Sequence, residues 1–157
     1  MKKSAFVPVV LALSLLLAGG VVRADVLADC YKAAENRVQV RQCLQKELEA
    51  TQREYQTVLN RLSEDMAMLD QVSGAAPKKK GKGAKKGGLS QSLSDSNQAF
   101  DTYMKRQCAF EAAATGTGTG AGNQQIACKI TLMRLRMGAL SSFIPADAPA
   151  SSGQRNE

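Results

Sequence analysis

The chain has 157 residues, no tryptophan, no histidine and a formal net charge of +7. That length holds one compact domain and not two. The excess charge is local: without Lys2, Lys3 and Arg23 it falls to +4, and without six further lysines between 78 and 86 to −2, so no broad cationic face of the kind that binds nucleic acid is implied.

The N-terminus carries two lysines and then a run dominated by Val, Leu and Ala that closes on Val22-Arg23-Ala24. This is the layout of a secretory signal peptide, so residues 1–24 are expected to be removed and the mature chain to begin at Asp25. The apolar run from Ala5 to Val22 contains Pro8 and a glycine pair. It falls short of the roughly 20 residues that span a bilayer, and no transmembrane segment is expected in the mature chain. Leu27-Ala28-Asp29-Cys30 has the outline of a lipobox, but Asp29 directly before the cysteine and the charges behind it argue against lipidation.

A short helix is expected from Val26 to Glu35, with Asn36 ending it in a left-handed turn. A long helix of about 30 residues follows, with Val40, Leu44, Leu48, Tyr55, Leu59, Leu62, Met66 and Leu69 on one stripe and an end near Asp70. The tract PKKKGKGAKKGG, residues 77–88, has neither apolar anchors nor acids. A third helix should begin at Ser94 or Asp95, either of which can cap it, and turn Leu93, Phe100, Tyr103, Met104 and Phe110 toward the core. Residues 115–122, TGTGTGAG, read as loop. Asn123 is placed to cap a fourth helix carrying Ile126, Ile130, Met133, Met137 and Leu140 at helical spacing. Residues 144–157 have the composition of a disordered tail. The fold class is therefore all-α: a small antiparallel helical bundle of three main helices plus a short leading one.

Cys30, Cys43, Cys108 and Cys128 all lie in the part expected to be exported, where disulfides persist. Two bridges are expected. With no Cys-x-x-Cys and no histidine, no metal site and no cofactor are proposed. The hairpin of the third and fourth helices brings Cys108 near Cys128. On one straight helix Cys30 and Cys43 would stand about 20 Å apart, so a turn between Asn36 and Gln39 must fold the leading helix back. The preferred pairing is 30 with 43 and 108 with 128, while the crossed connectivities stay open.

Cys30 and Cys43, then Phe100, Tyr103, Cys108, a Gly-rich loop, Cys128 and Arg136, with Leu140 closing, resemble the LprI-like lysozyme-inhibitor domain over roughly residues 28 to 141. Phe100 stands where that family usually has Trp, Met104 where it commonly has Arg, and Met133 where Thr is frequent. Its Leu-Asn-x-x-Tyr reads Tyr55-Gln56-Thr57-Val58-Leu59. The resemblance implies an exported helical domain over 25–143 that inhibits lysozyme. It also makes residues 74–90 an insertion in what is otherwise a short turn.

Catalysis finds no footing here. There is no histidine, no thiol is left after two bridges, and the neighbours Glu64 and Asp65 point to different sides of a helix. A non-enzymatic, periplasmic or secreted binding protein is expected, and the resemblance implies lysozyme or another cell-wall hydrolase as its partner. The candidate contacts are Thr115, Thr117 and Thr119 on the bridged loop, Arg136, and the tract lysines Lys78, Lys79, Lys80, Lys82, Lys85 and Lys86. Lysozyme works with two carboxyl groups in its cleft, to which basic side chains are suited. The alternative is an envelope protein whose lysines bind an anionic surface polymer in a salt-sensitive way.

Overall fold

The computed structural model describes residues 25–74 and 88–144. The expected signal peptide, the six tract lysines and the tail from residue 145 lie outside them. Four helices follow in order: α1 (Val26–Ala33), α2 (Arg37–Val72), α3 (Leu89–Ala114) and α4 (Thr119–Ser141). The fold is all-α, with both preferred disulfides formed: Cys30–Cys43 at a Cα separation of 5.7 Å and Cys108–Cys128 at 5.5 Å.

The core lies in two linked clusters. At one end Val26 and Cys30 of α1 meet Val40 and Leu44 of α2 and Ala127 and Ile130 of α4. Further along, Tyr55 and Leu62 meet Met133 and Leu140, with Leu93, Phe100 and Met104 of α3 packed against them. Early residues of α2 thus pair with early residues of α4, so these two helices run parallel and α3 runs against both. Leu48 touches both clusters. Leu44 and Ile130 are wholly buried, each contributing about 1.5–3 kcal/mol of transfer free energy.

The helix ends depart from the sequence reading in instructive ways. Asn36 is not a left-handed stop. Its backbone is extended and its side-chain oxygen accepts from the amides of Val38 and Gln39 at 3.0 and 3.1 Å, which caps α2. Gln39 returns the favour one residue upstream by accepting from the Glu35 amide at 2.7 Å, a variant of the capping box. The chain therefore turns at Ala34–Asn36, earlier than expected, and α2 runs 36 residues. Gly74, at φ 65°, closes its far end by donating to the Gln71 carbonyl.

Neither Ser94 nor Asp95 caps α3, which starts at Leu89 inside the span expected to be inserted, with Gly88 in the cap position. The cap comes from another helix. Asp70 accepts from the Leu89 amide at 2.7 Å, the Ser90 amide at 3.0 Å and the Ser90 hydroxyl at 2.7 Å. A Cβ on Gly88 would sit 2.5 Å from that carboxylate, which is why glycine is needed there.

Asn123 does not cap α4. The helix begins four residues earlier at Thr119, and Asn123 is buried on its inner side. Tertiary packing overrides the weak helix propensity of Gly120 and Gly122. The connection is consequently four residues, Thr115 to Gly118.

Candidate partner-binding surface

The turn between α3 and α4 is built for rigidity by its neighbours. Cys108 and Cys128 are both buried beneath it. Gly116 and Gly118, at φ 103° and 98°, take left-handed backbone that other residues rarely adopt. The Thr115 hydroxyl donates to the Glu111 carbonyl at 2.9 Å. The Glu111 carboxylate accepts from Gln107 at 3.0 Å and, across the hairpin, from Gln124 at 3.2 Å. Arg41 adds a guanidinium from α2, close enough to the first turns of α4 that a Cβ on Gly122 would stand 3.3 Å from Nη1. Thr115, Thr117 and Thr119 are all exposed. The result is a small, ordered, solvent-facing turn.

A depression of about 130 Å³ lies nearby, lined by Asp25, Leu27, Glu111, Gln124 and Cys128 among others. Small-molecule sites run from about 300 Å³ upward.

Arg136 does not share that location. It stands 17 positions beyond Thr119 on α4, about 25 Å along the axis. Its guanidinium lies 5.5 Å from the Phe100 ring centre and donates to the Ser96 hydroxyl at 2.7 Å. Phe100 in turn packs at 5.9 Å against Tyr55, whose hydroxyl donates to Asn97. Burial, then the Asp101 carboxylate, pushes the Tyr55 hydroxyl above its usual pKa, with Arg136 acting against them. These residues knit α2, α3 and α4 together. The six tract lysines belong to residues outside the described structure.

Two side chains assigned to the core by spacing are on the surface. Tyr103 is 52% exposed and Phe110 68% exposed, because the stripe through Leu93, Phe100, Met104 and Cys108 already fills the inner side of α3. Leu69 of α2 is likewise exposed. The signal was present in the sequence: Tyr103 and Phe110 stand seven apart on a line offset from that inner stripe.

Among the described residues there is no group of Cys, Asp or Glu able to hold a metal ion and no free cysteine. None of the described helices is long and apolar enough to cross a membrane. The sequence profile of the family described as Lysozyme inhibitor LprI covers residues 28–140. The chain belongs to this family. No curated protein and no solved structure matches it. The matched span takes in all four cysteines, Phe100, Arg136 and the bridged turn.

Proposed function

We propose that this LprI-family protein is an exported, non-enzymatic binding protein that inhibits lysozyme or a related cell-wall hydrolase by docking on it. The observation that carries the reading is the family match across the whole bridged bundle. Two supports come from the fold. The Thr115–Gly118 turn is held by a bridge, which lowers the ordering cost of presenting it to a partner. Both disulfides suit an oxidising compartment such as the periplasm, in keeping with removal of residues 1–24. The domain then spans 25–143, with the lysine tract inserted at the end opposite the bridged turn.

The test is hydrolysis of bacterial cell wall by lysozyme with and without the oxidised mature protein. A slowing that saturates with added protein is expected, and undiminished hydrolysis at micromolar excess would overturn the reading. Running a variant without residues 78–86 beside it separates the alternative. If only the intact tract inhibits, the lysines are the active element, and if neither inhibits, retention on an anionic envelope polymer becomes the reading to pursue.

A further inference from the structure

α3 buries the smallest share of its residues of the four described helices. Only Cys108 of its 26 residues is fully buried, against six residues of the 23 in α4. Its outer side carries Tyr103 and Phe110, two helical turns apart and so about 10 Å from each other along one line. Arg106 is exposed between them and makes no ion pair among the described residues. Exposed alanines at 99, 109, 113 and 114 flank the line, leaving the two rings standing out as a ridge.

Of the three acids of α3, Asp95 lies eight residues before Tyr103 and accepts from Gln91, and the other two stay off the ridge. Asp101 is half-buried and acts on Tyr55, while Glu111 is tied to Gln107 and Gln124. The charge of the described residues is divided in the same sense. Residues 25–74 hold nine acids and six bases, whereas residues 88–144 hold three acids and five bases. Exposed aromatics with an unpaired arginine are the composition of interface centres. The ridge also runs into the bridged turn, since Thr115 follows Phe110 by five residues.

We infer that the Tyr103–Arg106–Phe110 ridge of α3 is the surface that enters the substrate cleft of lysozyme, an inference that rests on the function proposed above. A convex helix with low shoulders fits a concave groove. The cleft works through two carboxyl groups, and a guanidinium is the side chain best shaped to pair with a carboxylate in a site closed to water. The two rings then cover apolar wall on either side of that pair, and Thr115 and Thr117 reach its rim.

The experiment is calorimetric titration of lysozyme with the oxidised mature protein and with two variants, Arg106→Glu and the double Tyr103→Ser/Phe110→Ser. Each variant is expected to weaken binding at least tenfold, with the far-ultraviolet circular dichroism of the parent retained because all three positions are exposed. Phe110→Tyr should keep most of the affinity, and an N-acetylglucosamine oligomer that fills the cleft should compete with the parent. If the parent binds and both variants bind as tightly, the ridge is not the interface and the proposed function stands. If the parent does not bind at all, both are overturned. If sedimentation shows that the parent dimerises, the variants do not, and lysozyme affinity is unmoved, the ridge serves a second copy of the chain and the inference fails.

Discussion

The two ends of the bundle are closed by different means. At one end two disulfides tie α1 to α2 and α3 to α4, and a four-residue turn joins the last pair. At the other, α2 hands over to α3 with no covalent bridge, and the junction is defined by one carboxylate, Asp70, gripping the first two amides of α3. In an oxidising medium a bridge fixes its end at acid and neutral pH alike, whereas a carboxylate cap does so only while it is ionised. Asp70 and Gly88 stand side by side at this junction.

Covalent and apolar closure should be the hardest to lose. Ile130→Ala, at a wholly buried position shared by three helices, is expected to cost about 2–5 kcal/mol in urea unfolding. Replacing the pair Cys108 and Cys128 by serine opens a loop with a sequence separation of 20. The expected cost is about 3 kcal/mol in the chain-entropy account. If that pair proved no less stable than the parent, the bridged end would not be the firmer one.

The polar end should yield to acid. The Ser90 hydroxyl first, then the Ser90 and Leu89 amides, hold the Asp70 carboxyl below the usual carboxylate range, with burial opposing them. A carboxyl lowered on folding adds stability that is complete above its unfolded pKa of about 4. That stability is lost as the pH falls through the lowered folded value. Asp70→Asn should therefore be less stable than the parent at neutral pH and lose part of the acid-dependent fall, as read from midpoints between neutral pH and pH 2. Gly88→Ala, whose methyl would collide with that carboxylate, should do the same while leaving every titrating group in the sequence. Smallest of all, Arg136→Met removes a stack over Phe100 and a bond to Ser96, an expected loss of about 1 kcal/mol.

Much of this fold was legible from spacing alone. Val40, Leu44 and Leu62 on α2 and Ile126 to Leu140 on α4 fall on stripes that the core uses, and the bridges follow once the chain is folded at its two short turns. The helix starts were not legible. Ser94 and Asp95 are good local caps, but the helix extends past them to Leu89 because an acceptor nineteen residues away in sequence is brought to its end. Asn123 fails as a cap for a related reason, since packing draws the helix start back to Thr119. Local rules see neither contact. The threonines are exposed, as a loop reading implies, while Tyr103 and Phe110 face outward against the spacing, because apolarity alone does not say which of two adjacent stripes a core will fill. Arg136, picked out with the turn, turns out to join helices 25 Å or so away from it along α4.

On the proposed function, the bridged end and the adjoining α3 ridge meet the partner while the junction of α2 and α3 stays free. The most direct measurement is backbone amide chemical-shift mapping of the isotope-labelled, oxidised mature protein during titration with lysozyme. Perturbations gathered over residues 103–119, with little change around Asp70 and Leu89, are the predicted result. Perturbations centred on the junction of α2 and α3, or none at all, would contradict it.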